Sequence, residues 1–250
     1  MKNEKQNYYG SLCTEMYEIL HKTAPQDELE FYLSYAKEGD KIFEPLCGSG
    51  RFLIPFMQKG LDISGMDMSD EMLQKLKQKA PSAKAFKADI NKYISDEKYD
   101  YIFISSGSVS LFTNLTECKK ILGKLKEMLA PDGKLVFAVD ALSNRCSNDD
   151  DYNISISVKT PEGFDLILKN KNYFDPKNCT QYSPGIYELY NGQKLLQSEK
   201  MDFQTHLYKL GEMEEMLDEI DFSSVKTYSS YQKQIASDNN CEMFLYECRA

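Results

Sequence analysis

From Lys41 to Ala141 the chain alternates short apolar runs with stretches whose apolar residues fall at helical spacing. "KIFEPL", "LDISGMDM", "AKAFKADI" and "YDYIFISSG" are the first four runs, and "PDGKLVFAVDA" is a turn feeding a fifth. "RFLIPFMQKG", "SDEMLQKLKQKA" and "NLTECKKILGKLKEMLA" are the helical stretches, with Ser69 as the expected N-cap of the second. Few folds accept such an alternation. Successive strands can lie parallel only if the intervening segments cross over the sheet, so helices cover both faces and the crossovers are right-handed. The expected class is therefore α/β, a doubly wound, mostly parallel sheet. Ligands of such sheets bind beyond the carboxyl ends of the strands, where Glu44, Asp67, Asp89 and Ser105 fall.

Two amphipathic stretches, "SLCTEMYEILHK" and "DELEFYLSYAKEG", predict helices before the first strand. After Asp140 the pattern changes. "YNISISVKTPEGFDLILKNKNYF" reads as two β-runs around a Pro-Glu-Gly turn, and "IYELYNGQKLLQSEKMDFQTHLY" as two more around Asn191-Gly192, a favoured hairpin pair. "GEMEEMLDEI" then predicts a helix, and "SSVKTYSSY" and "CEMFLYECRA" two closing strands. The expected organisation is residues 1–149 as N-terminal helices and ligand-binding core, 150–208 as a small antiparallel insert acting as a substrate lid or dimer surface, and 209–250 as the last helix and closing strands.

Size and charge exclude some functions. The 250 residues, 42% hydrophobic, are enough to bury one sizeable core and to form an enzyme. A net charge of -9 disfavours nucleic acid and anionic membranes as partners, because it repels both at long range. Seven cysteines without a C-x-x-C pair predict reduced thiols and no metal site. With a polar start, "MKNEKQNYYG", and no long apolar run, a cytoplasmic protein is expected, as monomer or homodimer.

The chemistry concentrates in "KIFEPLCGSG", where a strand, an acid and a Gly-X-Gly turn follow within ten residues. A helix starting after the turn would aim unpaired N–H groups at a ligand, and Gly48 and Gly50 would let it approach the backbone. A dinucleotide site usually has a third glycine three residues later, where this chain has Leu53. Asp67, 17 residues past Gly50, could accept hydrogen bonds from both hydroxyls of a ribose. Glu44 would repel a pyrophosphate but suits a ligand bearing ammonium and sulfonium charges.

"FEPLCGSGRFLIPF", "ISGMDMSDEML", "FKADI", "YDYIFISSGSVSLF" and "LAPDGKLVFAVD" occur in the order and spacing of the class I S-adenosylmethionine-dependent methyltransferases. The chain most resembles their bacterial small-molecule branch with an antiparallel insert after strand five. The resemblance implies a Rossmann-like seven-stranded sheet with an antiparallel final strand and a small β insert, S-adenosylmethionine as cofactor, and S-adenosylhomocysteine as product. It implies that Cys47, Gly48, Ser49 and Gly50 cradle the methionine and ribose portions while Glu44 orients the methionine end. By the same carry-over Asp67 holds the ribose, Met68 packs on adenine, and Asp89 with Ile90 holds the adenine amine and ring. Ser105 and Ser106 lie beneath the reactive methyl, and Tyr17 lies over the cofactor. One departure is Leu46, preceded by Pro45, where the family's loop has a glycine before Cys47.

The implied activity is methyl transfer to an oxygen, nitrogen or sulfur of a small-molecule acceptor. Asp140, at the end of strand five, and His206, where the insert returns to the core, are the candidates for proton transfer. Tyr152, Tyr173, Phe174, Tyr182 and Tyr187 fill the insert's own core or line an acceptor pocket. The fourth-strand segment "SSGSVSLF" lacks the Asp/Asn-Pro-Pro-Tyr/Phe run of amino-methylating DNA enzymes. Three rival readings are a non-catalytic or protein-interaction module on the same fold, a methyltransferase of protein side chains, and an NAD-dependent oxidoreductase.

Overall fold

A computed structural model describes residues 6–250; residues 1–5 of the polar start lie outside the described residues. The expected helices form as α1 (Ser11–Leu20) and α2 (Gln26–Leu33). The alternating region then runs β1 (Lys41–Pro45), α3 (Leu53–Gln58), β2 (Asp62–Asp67), α4 (Asp70–Lys79), β3 (Lys84–Lys87), β4 (Tyr99–Ile104), α5 (Leu115–Glu127) and β5 (Leu129–Asp140). Next come seven strands, β6 (Asn153–Lys159), β7 (Asp165–Asn170), β8 (Tyr173–Asp175), β9 (Thr180–Tyr182), β10 (Gly185–Asn191), β11 (Lys194–Met201) and β12 (Gln204–His206). The chain finishes with α6 (Glu212–Glu219), β13 (Ser224–Tyr228) and β14 (Met243–Arg249).

Seven strands make the main sheet, in the order β13-β14-β5-β4-β1-β2-β3, with β14 antiparallel to both neighbours and the other pairs parallel. This is the expected doubly wound fold. Period-two alternation explains its two layers of core. On β4, Tyr101 and Phe103 join Phe31, Phe56 and Leu76 under α2, α3 and α4, while Ile102 and Ile104 join Ile121, Leu125 and Leu217 under α5 and α6. Each of these buried side chains contributes on the order of 1.5–3 kcal/mol. Ser69 caps α4 as expected, its hydroxyl accepting from Met72 N at 3.1 Å, and Asn114 caps α5 through Thr116 N and Glu117 N.

Three local expectations need correction. Helix α3 is shorter than "RFLIPFMQKG", because Arg51 and Phe52 form a turn before it. Pro55 is thus in its first turn, where no intrahelical N–H bond is lost. The Pro-Asp-Gly turn is absorbed into β5 as an irregularity, with pairing to β4 running from Leu129 and resuming at Lys134. Beyond Asp140, β11-β10-β7-β6 form one antiparallel sheet around the two expected hairpins, but β12-β9-β8 form a separate small sheet whose short strands carry no clear alternation.

Helix α1 lies between α4 and the four-stranded sheet, with Leu12, Cys13 and Met16 packed against Leu166, Tyr187 and Met201. Its N-terminus has no cap of its own. Instead the Glu199 carboxylate on β11 accepts from Ser11 Oγ, Leu12 N and Cys13 N at 3.1–3.3 Å, supplying the negative charge that end favours. A side chain at Gly10 would collide with that carboxylate, which stands 2.6–2.8 Å from where a Cβ would lie.

Candidate functional site

The sheet order reverses between β1 and its neighbours β2 and β4, and the chain leaves all three strands at the same edge. That switch point opens a cavity of about 340 Å³, lined from β1 by Glu44, Leu46, Cys47 and Gly48, from β2 by Asp67 and Met68, and from β4 by Ser105 and Ser106. A second cavity of about 240 Å³, walled by Met68, Asp89 and Ile90, shares Asn7, Leu46, Met68 and Leu111 with the first. Together they form one elongated site.

The loop after β1 is held by Cys47 N donating to Met66 O at 3.0 Å. Leu46 stands in the left-handed region at φ 61, a conformation costing a non-glycine residue roughly 1–2 kcal/mol. Its side chain packs partly into the core and lines both cavities, which offsets that cost. The two glycines differ. Gly48, at φ 52, faces the cavity, and a Cβ there would meet nothing nearer than Met72 Sδ at 3.9 Å. Gly50 is not on the wall; a Cβ there would lie 2.4 Å from Leu76 Cδ1, so this glycine serves the approach of the loop to α4. Ser49 also faces away, its hydroxyl bonded to Glu18 and Lys79.

Asp67 accepts from Gly48 N on one carboxylate oxygen and from Ser69 N on the other, both at 2.9 Å. Each oxygen retains a lone pair for a further donor. Burial raises its pKa against the pull of these N–H groups. Glu44 is 1% exposed, accepts from Ser105 Oγ at 3.3 Å, and leaves its second oxygen without a partner. Burial pushes its carboxyl well above the usual carboxylate range. At Asp89 burial is outweighed by hydrogen bonds from Asn91 and by Lys92, 3.3 Å away, and the pKa falls below the ordinary value.

Arg51 and Glu28, absent from the sequence-based candidates, organise the β4 side. Glu28, 4% exposed, accepts from Ser106 N at 2.7 Å and Ser106 Oγ at 3.1 Å, holding Ser106 in the left-handed region at φ 56. Arg51 donates to the same hydroxyl, lies 5.7 Å from the Tyr17 ring centre, and keeps a buried Nε without a partner. Tyr17 itself sits between His21, with ring centres 4.8 Å apart, and Tyr9 at 6.1 Å. A cation immediately after the Gly turn was the available signal for Arg51; nothing local marks Glu28, whose role depends on α2 reaching the end of β4.

Neither expected proton-transfer candidate lies on these walls. The Asp140 carboxylate stands behind Gly107, its Oδ1 3.0 Å from where a Cβ would be, and burial pushes its pKa up to about 6. His206 is 3% exposed, bonded through Nε2 to Glu212 at 2.7 Å and packed edge-on against Tyr208, while Nδ1 is buried without a partner. Strand β12 turns it into packing between elements instead of toward the cavity.

Residues 42–133 match the family model described as a methyltransferase domain. Over 104 residues the chain is 30% identical to the demethylmenaquinone methyltransferase of Renibacterium salmoninarum, covering 41% of this chain and 42% of that one. It spans about half the length of the first curated methyltransferase relatives it matches, at 26% and 24% identity. An S-adenosylmethionine-dependent methyltransferase from Clostridium acetobutylicum superposes with a TM-score of 0.76 at 15% identity, over 94% of this chain and 96% of that one. S-adenosylmethionine-bound CalS10, an amino pentose methyltransferase from Micromonospora echinaspora, superposes at 0.67 with 12% identity, over 98% and 100%. The likeness to class I methyltransferases read from the sequence is borne out in the fold.

Proposed function

We propose that this chain, which carries a methyltransferase domain in the class I S-adenosylmethionine-dependent fold, binds that cofactor along the two joined cavities and transfers its methyl group to an O, N or S atom of a small-molecule acceptor. The observation that carries the reading is the pairing of two carboxylates with spare acceptor capacity at one switch point. Glu44 holds out a buried oxygen with no partner, and Asp67 keeps one lone pair per oxygen after its backbone bonds. The first fits an ammonium and the second a ribose diol. The unpartnered Arg51 Nε suits the carboxylate of the same amino-acid end, and Met68 and Ile90 offer apolar contact to adenine beside Asp89.

When bound, S-adenosylmethionine would supply an activated leaving group, its sulfonium sulfur, for in-line displacement by an acceptor's lone pair. The protein's share is orientation and exclusion of water. Glu44 and Arg51 fix the amino-acid end, Asp67 the sugar, and Ser105 and Ser106 line the β4 wall on a turn that Glu28 holds rigid. Tyr17 covers the site from α1. Asp140 and His206 are given no part in this reading. Residues 150–208 serve as the acceptor-side lid, and the charge of -9 supports a small acceptor over nucleic acid.

The test is a calorimetric titration with S-adenosylmethionine, S-adenosylhomocysteine and NAD. The expected result is micromolar binding of both sulfur nucleosides, none of NAD, and at least a tenfold loss in Asp67→Ala. Absence of all binding would move the non-catalytic module to first place.

A further inference from the structure

A third cavity, of about 450 Å³, lies between α1 and the inner face of the four-stranded sheet. Its volume is within the roughly 300–1,000 Å³ of small-molecule pockets. Tyr9, Tyr17 and His21 line both this cavity and the one holding Glu44 and Asp67, so the two spaces adjoin at the Tyr17 ring. A molecule filling the third cavity would therefore present one end to the nucleoside site without leaving its own walls.

Those walls have a distinct chemistry. They are built from apolar side chains such as Met16, Leu168, Met201 and Phe203, and their polar groups are neutral ones, as in Ser155 and Asn170. Among the described residues the lining includes no Lys, Arg, Asp or Glu. A phosphate or carboxylate placed there would lose its water with no cation to replace it, a heavy penalty, whereas an apolar body gains by leaving water. His21, at the junction, has its pKa lowered by burial and by Arg51, so it adds no cation in the neutral range. We propose that this cavity receives the methyl acceptor, and that the acceptor is an uncharged molecule with an apolar, ring-sized body whose nucleophilic atom enters the nucleoside site beside Tyr17. The proposal rests on the reading of the first cavity as the S-adenosylmethionine site.

The test compares two probes that share a body and differ in charge, 2-naphthol and 2-naphthyl phosphate, titrated into the full chain saturated with S-adenosylhomocysteine. Expected is sub-millimolar binding of 2-naphthol, with the phosphate at least tenfold weaker. Leu168→Lys, which puts an ammonium into the cavity, should weaken 2-naphthol at least tenfold and leave S-adenosylhomocysteine affinity unchanged. Ser155→Arg, at an exposed position of the same lining, provides a second variant that keeps the fold and should narrow or reverse the preference for the neutral probe. Equal or tighter binding of the phosphate, no binding of 2-naphthol, or indifference of 2-naphthol to both variants would overturn the proposal. The S-adenosylhomocysteine titration of the same samples separates the two layers: its failure sinks the cofactor reading and this proposal with it, whereas its success without 2-naphthol binding sinks this proposal alone.

Discussion

Glu44 pairs two properties that seldom coexist, near-complete burial and an oxygen left without a partner. Because burial raises its pKa, an ammonium-bearing ligand that favours the ionised form must expel a proton on binding. S-adenosylhomocysteine affinity should therefore increase with pH across a window above the ordinary carboxylate range, and Glu44→Gln should flatten the dependence; calorimetry in buffers of different ionisation enthalpy reads the proton directly. Asp140 gives the corresponding stability statement. Its folded pKa of about 6 exceeds the ordinary 3.8, so its contribution is complete below pH 4 and is lost as pH rises through 6. Asp140→Asn should stabilise the fold by about 1–3 kcal/mol at pH 7 and by little at pH 4, as read by urea midpoints. Acidic residues at strand ends were legible in the sequence, but which of them reach the cavity was not. Asp67 and Asp140 both end strands, and only the sheet order shows that one opens on the switch point and the other lies behind Gly107.

At the scale of elements, the Gly turn is divided between cavity wall at Gly48 and packing at Gly50. Gly50→Ala should cost more than 2 kcal/mol, since the new methyl must displace Leu76 and Ile54 at a positive φ, whereas Gly48→Ala should cost about 1 kcal/mol and chiefly impair nucleoside binding. Thermal melts and cofactor titration of the pair distinguish the two roles. From sequence the glycines looked equivalent, because the partner that forbids a side chain at Gly50 lies 26 positions on, in α4. The five strands of the alternating region and the two hairpins were readable because their periodicity or turn chemistry is local. Strands β8, β9 and β12, three residues each, are too short to carry a period, and β12 reaches β9 only by pairing across more than twenty residues.

Across the whole molecule, three contiguous cavities run from the sheet's switch edge to the four-stranded sheet, and their walls come from regions far apart in sequence, Gln6 to His21, the loops after β1, β2, β3 and β4, and strands β6, β7, β10 and β11. Among the described residues no helix is long and apolar enough to cross a membrane. The clasp between Glu199 and the start of α1 joins two of these regions. Glu199→Ala should cost about 1–2 kcal/mol and should accelerate amide exchange in α1 before the main sheet is affected, a comparison that native-state hydrogen exchange makes residue by residue.

That clasp also bears on the order of events during synthesis. The helix that covers the site is made nearly 190 residues before the carboxylate that caps it. While the parallel strands emerge and pair, α1 lacks both its cap and the apolar sheet it rests on. A ribosome-bound chain stopped near residue 190 should therefore hold α1 open to protease, and the site would acquire its roof only when β11 has cleared the exit tunnel.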